Sequence, residues 1–434
     1  MNSAPGRSGS ACVLFHGCPK NQVDTEFVLG SLVQAGYRII SELSAADLVV
    51  VTTCGFLQSA RRECEASIKR VLKWKRRKPG LKVVVAGCLV ERYRAELEQE
   101  FPEIDLLAGI ADMPRIPRLM SGVGCRALGK TEPVVRLVST PAHYAYLRIA
   151  DGCDNRCSYC AIPGIRGRFR SQPMADILDE ARRLADQGAK ELVLVAQDTT
   201  RYGADNDERP GLGRLLDRLS RIDGVLWLRL MYAHPAHLTE DVLDQFQTNP
   251  KLCLYIDLPI QHVSDPVLRR MNRPYCRADI ELLIQHLRAI PDLHIRTTMI
   301  VGFPGETPSQ FQELLQFIEQ IRFDRLSAYT YSPEPGTPAY RLRPRVPVRV
   351  QRARLRRLMR VQARISRGNL KQLVGRELDV LVDQPGVGRT EWDAPEVDGV
   401  FQLRGVDTRP GEMVRALVTG STTHDLRGQV VGKV

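Results

Sequence analysis

The feature that most constrains the fold is a sixfold alternation of apolar segments with helical segments between residue 139 and about residue 340. Each apolar segment has the length of a buried strand, and apolar residues recur at helical spacing in the segments between them. Strands that alternate with helices form a parallel sheet, so six such units predict a partial (β/α)6 barrel. The predicted strands are residues 145–150, 191–197, 226–232, 254–260, 294–301 and 325–331.

The chain on either side of this barrel has different patterns. On the N-terminal side, buried apolar strands alternate with helices and predict a smaller parallel α/β domain. On the C-terminal side, short strands separated by glycines are predicted at residues 378–382, 399–403, 414–418 and 428–431. They are typical of a small closed β-barrel. The sequence therefore predicts an α/β protein of three domains, at residues 10–125, 139–368 and 369–434.

The excess of positive charge lies in one segment. The chain has 434 residues and a net charge of +12, from 62 basic and 50 acidic residues. Twelve basic side chains and no acidic one lie between Arg341 and Lys371, in a predicted helix that connects the two barrels. High net charge alone would indicate nucleic-acid binding. Two interpretations stay open for this helix: arginines paired with acids elsewhere, or a strip that approaches a phosphate-rich particle.

Composition also indicates the compartment. No apolar run approaches the roughly 18 residues of a membrane span, and the first residues lack the apolar core of a secretory signal. We therefore expect a cytoplasmic protein with no membrane partner. The eleven cysteines are an odd number, and this compartment disfavours disulfides. Metal or cluster binding is thus the first hypothesis for them.

Three cysteines form a C-x3-C-x2-C sequence directly after the first predicted barrel strand: Cys153, Cys157 and Cys160. Thiolates at this spacing can bind three irons of a four-iron cluster and leave one iron for an external ligand. A structural zinc ion would require four ligands, and no neighbouring His or Cys completes that set. Unbonded core cysteines are the other alternative.

A second set of three cysteines is distant in sequence, because Cys18, Cys54 and Cys88 each end a predicted strand. Parallel strands end at the same edge of a sheet, so these thiols can converge on a second cluster. Packing in the core is the alternative, since free cysteines are commonly buried. The remaining cysteines show no partner spacing and are expected in the core or at the surface: Cys12, Cys64, Cys125, Cys253 and Cys276.

The cluster segment reads Asp151-Gly152-Cys153-Asp154-Asn155-Arg156-Cys157-Ser158-Tyr159-Cys160-Ala161-Ile162-Pro163, and it is followed by Arg166-Gly167-Arg168-Phe169-Arg170-Ser171. It resembles the radical S-adenosylmethionine (SAM) superfamily and, more narrowly, its methylthiotransferase branch. The resemblance implies that its three cysteines hold a [4Fe–4S] cluster whose open iron binds SAM. It further implies an auxiliary [4Fe–4S] cluster on the second set of three cysteines, and a C-terminal TRAM barrel.

Three local sequences, at residues 17–21, 196–203 and 393–399, resemble the members of this branch that modify an aspartate of ribosomal protein S-twelve. The resemblance implies that a radical derived from SAM takes hydrogen from the aspartate β-carbon, which then receives a methylthio group. It also implies a low-potential electron donor of flavodoxin or ferredoxin type, and a target on or near the small ribosomal subunit. Methylthiolation of an adenosine in transfer RNA is the alternative.

Several residues are candidates for contacts with SAM because barrel active sites form where the strands end. Ordinary polar loop residues are the alternative. The candidates are Gln197, Asp198, His234, Gln261 and Gly302. Inside the cluster segment, Tyr159 can pack near adenine or shield the cluster from solvent. The remaining barrel histidines lack metal-ligand spacing and are expected to be structural: His143, His237, His262, His286 and His294.

The C-terminal barrel is expected to bind the target protein. Small β-barrels can also read RNA, but only Trp392 and Phe401 are available there as large stacking rings.

Overall fold

The computed structural model describes residues 9–121, 135–206, 211–405 and 407–434. These residues form two compact units. The first unit contains the described residues up to Ser139 together with Cys160–Arg168, and the second contains Thr140–Tyr159 and Phe169–Val434. No helix in the described ranges is long and apolar enough to cross a membrane.

The first unit is built on a five-stranded parallel sheet with the order β2-β1-β3-β4-β5. Side chains of β3 and β4 are apolar on both faces, and they belong alternately to two separate apolar clusters. Successive residues of a strand face opposite sides of a sheet, so helices cover both faces. The elements are β1 (Ser10–Phe15), α1 (Pro19–Gln34), β2 (Arg38–Ile39), β3 (Leu48–Thr53), α2 (Gln58–Arg77), β4 (Lys82–Gly87), α3 (Cys88–Glu100), β5 (Leu106–Ala108), α4 (Ile116–Met120) and α5 (Ile162–Arg166).

The second unit begins with a six-stranded parallel sheet in the order β13-β12-β11-β10-β9-β6, which confirms the predicted partial barrel. Its elements are β6 (Tyr144–Arg148), β7 (Ala150–Asp151), β8 (Arg170–Ser171), α6 (Met174–Asp186), β9 (Glu191–Val195), α7 (Gly211–Ser220), β10 (Trp227–Leu230), α8 (Glu240–Thr248), β11 (Leu252–Asp257), α9 (Asp265–Arg270), α10 (Arg277–Arg288), β12 (His294–Val301), α11 (Pro308–Ile321), β13 (Arg325–Thr330) and α12 (Val348–Lys371). The predicted strands overran β9, β10 and β11 by two or three residues at their C-terminal ends. The backbone there has left the sheet, but apolar side chains remain buried at Ala196, Met231, Leu258 and Ile260.

The same unit ends in a closed barrel in the order β14-β15-β16-β18-β17, which confirms the predicted small β-barrel. Its strands are β14 (Glu377–Gln384), β15 (Val387–Thr390), β16 (Phe401–Arg404), β17 (Met413–Ser421) and β18 (Leu426–Lys433). The sequence pattern missed β15 because this strand contains Gly388 and two polar residues, Arg389 and Thr390, that are buried.

The segment that follows β15 packs on the first residues of the parallel strands. The Tyr144 hydroxyl at the start of β6 donates to Glu396 at 2.8 Å. In β11, the Tyr255 hydroxyl donates to Asp398 at 2.7 Å. Residues 393–399, which carried part of the family resemblance, therefore hold the β-barrel against the N-terminal ends of the sheet strands.

The two large aromatic rings of the C-terminal barrel are both buried. Trp392 is 4% exposed and Phe401 is 0% exposed, and both pack in the barrel's own apolar core. A ring that stacks on a base must be accessible. Neither residue is therefore available for base stacking.

Candidate functional site

Three cysteines of the first unit, Cys18, Cys54 and Cys88, converge at one edge of its sheet. Cys18 precedes α1, Cys54 follows β3, and Cys88 begins α3. The sulfur atoms of Cys18 and Cys88 lie 3.9 and 3.3 Å from the same Oδ1 atom of Asn21. Burial raises the pKa of the Cys54 thiol, and negative charge at Cys18 adds to that rise. The arrangement agrees with the prediction that parallel strand ends bring these thiols together.

Close backbone packing holds two of these cysteine loops together. Gly55 follows Cys54, and a Cβ atom built on it would lie 2.5 Å from the Cys88 carbonyl oxygen. A side chain at this position would therefore force the two loops apart. This contact is one reason why the residue after Cys54 is a glycine.

A buried guanidinium lies beside this set of cysteines. Nη2 of Arg166, the last residue of α5, is 2.6 Å from Oδ2 of Asp24, 2.7 Å from Oδ1 of Asn21 and 3.6 Å from Sγ of Cys88. Burial raises the pKa of Cys88 to about 12, and the charge of Arg166 opposes that rise. The sequence did not predict the contact of Arg166 with this set of cysteines, because 78 positions separate Arg166 from Cys88.

The donor set of the first unit fits an iron–sulfur cluster. Cys18, Cys54 and Cys88 are all free thiols, and thiolates are the usual ligands of such clusters. Burying three thiols close together disfavours their ionisation unless positive charge compensates. A cluster supplies that charge, and three ligands leave a fourth iron open.

Two cysteines of the C-x3-C-x2-C sequence lie in the second unit. Cys153 follows β7 and is buried, which raises its pKa to about 11. Cys157 is half-buried, and Nη1 of Arg273 is 3.4 Å from its sulfur. Cys160 is half-buried and begins the segment Cys160–Arg168. Three thiols at this spacing also fit a cluster.

A hydrogen-bond network joins the cluster segment to the ends of β9 and β10. Asn155, between the first two cysteines, donates to Oδ2 of Asp198 at 2.6 Å. Nδ1 of His237 is 2.7 Å from the same oxygen. Burial works against ionisation of Asp198, but the hydrogen bond from His237 and charge at His234 hold its pKa below the usual value. His237, which was expected to be structural, is thus a member of this network.

His234 and Arg273 connect the same network to Cys157. The imidazole of His234 stacks on that of His237, with ring centroids 4.5 Å apart. Its Nε2 lies 2.9 Å from Nη1 of Arg273, the guanidinium that also contacts the Cys157 sulfur. Asp198, His234 and His237 are close enough to share a metal ion. The adjacent positive charge of Arg273 favours hydrogen bonding over cation binding.

The remaining predicted SAM contacts lie after β9, β11 and β12, at the C-terminal edge of the same sheet. Both polar atoms of the Gln197 amide are buried without a hydrogen-bond partner among the described residues. A bound polar ligand can satisfy such a group, so the site fits SAM at this residue. Gln261 has a φ of +68°, and its backbone donates to Thr298 and accepts from Ile300 of β12.

Gly302 and Tyr159 have packing partners within the second unit. Gly302 has a φ of +74°, and a Cβ atom there would lie 2.4 Å from Cγ of Gln351 in α12. The Tyr159 ring packs edge-to-face on Phe303, with centroids 6.3 Å apart. That contact places the ring against an apolar cluster and favours the shielding role. The roles of these residues toward SAM stay predictions.

The other cysteines and histidines have structural surroundings. Cys12, Cys64 and Cys253 are buried, and Cys276 precedes α10. Cys125 lies outside the described residues. The Cys64 sulfur accepts a hydrogen bond from the Cys54 amide at 3.4 Å, so it helps to position the loop of a candidate ligand. His143 is 2.9 Å from Asp383 of the C-terminal barrel.

Three family models match successive parts of this chain. They are described as "Uncharacterized protein family UPF0004" at residues 11–109, "Radical SAM superfamily" at residues 147–318, and "TRAM domain" at residues 374–431.

Relatives match along nearly the whole chain. The ribosomal protein uS12 methylthiotransferase RimO of Heliobacterium modesticaldum is 43% identical, over 96% of this chain and 94% of its own length. RimO of Geobacter sulfurreducens is 42% identical, over 96% of this chain and 97% of its own length. The chain belongs to the RimO family. It is therefore a radical SAM methylthiotransferase. Its cofactors are SAM and iron–sulfur clusters, and two clusters are characteristic of the RimO family.

Solved structures are similar to this chain at the level of the fold. The radical SAM methyltransferase TsrM of Kitasatospora setae, solved with cobalamin and a [4Fe–4S] cluster, has a TM-score of 0.57 at 15% identity, over 88% of this chain and 80% of that one. The cobalamin-dependent radical SAM enzyme OxsB has a TM-score of 0.53 at 11% identity, over 82% of this chain and 56% of that one.

Proposed function

We propose that this protein adds a methylthio group to the β-carbon of an aspartate in ribosomal protein uS12. The observation that carries the proposal is the full-length similarity to relatives named uS12 methylthiotransferases, at 40–44% identity. The presence of two separate sets of three cysteines supports it, because the reaction requires both a radical and a source of sulfur. Methylthiolation of transfer RNA is not favoured, since these relatives are named for uS12.

The assignment of the clusters is part of this proposal. Cys153, Cys157 and Cys160 would hold the cluster that binds SAM, and the convergent thiols of Cys18, Cys54 and Cys88 would hold the auxiliary cluster. The domains are proposed at residues 10–125, 139–368 and 369–434. When bound, the clusters and SAM supply the electron, the carbon radical and the methylthio group.

The chain's own residues would position these cofactors and exclude water. Gln197 offers both a donor and an acceptor for which the described residues provide no partner, so it would bind polar atoms of SAM. Asp198 fixes the cluster segment through Asn155. Tyr159 packs against an apolar cluster that contains Met271, Phe303 and Tyr331. This apolar packing would exclude water from the site where the radical forms.

A stripe of basic side chains on α12 is proposed to approach the small ribosomal subunit. Arg349, Arg352, Arg356 and Arg360 recur at helical spacing and are all exposed. None of these four forms an ion pair with a carboxylate in the described parts of the chain. The same face continues through Arg364, Arg367 and Lys371, so it spans about 33 Å at 1.5 Å per residue. Ribosomal RNA is a phosphate-rich surface that such a stripe complements.

The interpretation of α12 as arginines paired with acids holds for only part of the helix. Arg354 is buried and lies 3.0 Å from the Glu306 carboxylate, and Arg364 pairs with Glu319 at the surface. A low-potential donor of flavodoxin or ferredoxin type and a cytoplasmic location complete the proposal.

Incubation of the anaerobically reconstituted protein with SAM, dithionite and small ribosomal subunits tests it. We expect 5′-deoxyadenosine to form and uS12 to gain a methylthio group, measured by peptide mass spectrometry. The Cys153→Ala/Cys157→Ala/Cys160→Ala variant should form no 5′-deoxyadenosine but keep about four irons. A methylthio group found on transfer RNA and absent from uS12 would contradict the proposed substrate.

A further inference from the structure

A charged pair is buried against the cysteines of the proposed auxiliary cluster. Arg166 and Asp24 are 6% and 6% exposed, and their side chains lie 2.6 Å apart. The same Nη2 atom of Arg166 is 3.6 Å from the Cys88 sulfur. The guanidinium therefore stands between a carboxylate and a candidate cluster ligand.

Asn21 fixes the position of this guanidinium. Its side-chain Oδ1 accepts from Arg166 at 2.7 Å and faces the sulfur atoms of both Cys18 and Cys88. Its amide nitrogen donates to the Thr53 carbonyl at 3.1 Å, one residue before Cys54. A single asparagine thus links Arg166 to the loops of all three cysteines.

Helix α5 ends at Arg166. The next residue, Gly167, has a φ of +74°, and this positive φ, which favours glycine, does not continue the helix. The last residue of this helix therefore carries the guanidinium that contacts the Cys88 sulfur. In sequence, Arg166 lies six residues after Cys160, a proposed ligand of the other cluster.

We propose that Arg166 is a positioning residue that raises the reduction potential of the auxiliary cluster, through its charge and its contact with the Cys88 sulfur, and that Asp24 lowers that potential. The inference rests on the proposed assignment of this cluster to Cys18, Cys54 and Cys88. One-electron reduction adds negative charge to a cluster. Nearby positive charge and hydrogen bonds to its sulfur atoms stabilise the reduced form, so they raise the potential.

Removal of the Arg166 charge and removal of the Asp24 charge should shift the reduction potential of the cluster in opposite directions. Arg166→Gln removes the positive charge and leaves the buried carboxylate, so the potential should fall. Asp24→Asn removes the negative charge and leaves the guanidinium, so the potential should rise. The double variant Arg166→Gln/Asp24→Asn should lie close to the parent protein. Arg166→Lys, which keeps the charge, should restore most of the parent value.

The experiment is a redox titration of the auxiliary cluster followed by electron paramagnetic resonance. The parent protein is the full chain with Cys153, Cys157 and Cys160 replaced by Ala, so that only the auxiliary cluster is present. At the parent midpoint, Arg166→Gln should lower the ratio of reduced to oxidised cluster by about tenfold, which is about 59 mV for one electron. Arg168→Gln is the matched control, because Arg168 is exposed on the same segment and should not shift the potential.

Iron analysis separates the two levels of the hypothesis. If the parent protein binds no iron after reconstitution, the auxiliary-cluster assignment is wrong and the inference fails with it. If iron is bound but Arg166→Gln leaves the potential unchanged, only the role of Arg166 is wrong. Shifts of the same sign in Arg166→Gln and Asp24→Asn would also overturn it, since a general loosening of the fold would act that way. Should Arg166→Gln fail to fold, Asp24→Asn and the double variant still decide.

Discussion

Nη1 of Arg389, in the C-terminal barrel, lies 2.8 Å from Oε2 of Glu191, the first residue of β9 in the parallel sheet. The other carboxylate oxygen of Glu191 accepts from Nε of Arg229 at 2.5 Å, and Glu191 and Arg229 are fully buried. One carboxylate is therefore shared by two guanidinium groups, one from each barrel. Burial works against ionisation of Glu191, but the charges of Arg229 and Arg389 hold its pKa below the usual value.

Replacement of the shared carboxylate should destabilise the second unit. Glu191→Gln leaves the buried Arg229 guanidinium without its counterion and leaves Arg389 paired only with Asp383, so we expect the free energy of unfolding to fall by about 3–5 kcal/mol. Denaturant unfolding of the holoprotein measures this loss. Asp217→Asn is the control, because it removes a surface partner of Arg221 and should cost less than about 1 kcal/mol. Equal losses in the two variants would show that the shared carboxylate has no special role.

Arg273 should influence the proposed SAM-binding cluster without being one of its ligands. Arg273→Gln removes the guanidinium contacts with the Cys157 sulfur and with Nε2 of His234. We expect reductive cleavage of SAM to slow by about 10- to 100-fold, while the iron content stays at the wild-type value. Measurement of 5′-deoxyadenosine alongside iron checks both parts.

The neighbouring Arg269 provides the control for that experiment, since it is exposed on α9. Arg269→Gln should leave both SAM cleavage and iron content unchanged. Loss of iron in Arg273→Gln would instead mean that the guanidinium is needed to assemble the cluster.

His262 should make stability depend on pH. It is fully buried, and its Nδ1 accepts from the Ser264 amide at 3.0 Å. Burial, together with the charges of Arg270 and Arg354, lowers its pKa to about 3. The unfolded chain binds the proton with a pKa near 6.5, so acidification below that value favours unfolding. At pH 5 the loss is about 2 kcal/mol relative to pH 7.5.

The variant His262→Asn keeps an acceptor for the Ser264 amide and cannot be protonated. Thermal unfolding midpoints, measured from pH 7.5 to pH 5, should fall less steeply for this variant than for the wild-type protein. Parallel curves for the two proteins would mean that His262 is not the group responsible.

The basic stripe on α12 should matter for binding and not for radical chemistry. Reversal of Arg349, Arg352, Arg356 and Arg360 to Glu should weaken association with small ribosomal subunits and reduce its dependence on salt. SAM cleavage without ribosomes should stay unchanged. A variant with Arg182, Arg183, Arg214 and Arg218 reversed carries the same change in net charge at exposed positions outside α12. If both variants lose binding equally, net charge is the cause and the stripe has no specific role.

Much of the architecture followed from periodicity. Six apolar segments predicted six parallel strands, because strands that are buried on both faces carry apolar side chains in unbroken runs. β15 was missed because its buried Arg389 and Thr390 have partners that the local pattern does not reveal. Buried polar residues satisfied by distant groups have no periodic signature.

Some residues of the candidate sites were indicated by their spacing in the sequence, and others were not. The spacing of Cys153, Cys157 and Cys160 indicated a cluster directly, since neighbouring thiolates can share one cluster. His237 gave no such signal: its position next to Asp198 depends on how β9 and β10 pair. Arg166 gave none either, because its contact with Cys88 joins residues that are far apart in the chain.

The sequence by itself determined the order of the three folded regions, the two sets of candidate ligands and the family. Those features depend on local periodicity, on short spacings and on strand ends that a parallel sheet must bring together. Only the tertiary structure decided which charges accompany the cysteines, and that residues 393–399 hold one barrel against the other. A buried ion pair forms between residues that folding brings together in the protein interior. Its partners are far apart in the chain, so the local sequence pattern does not predict the contact.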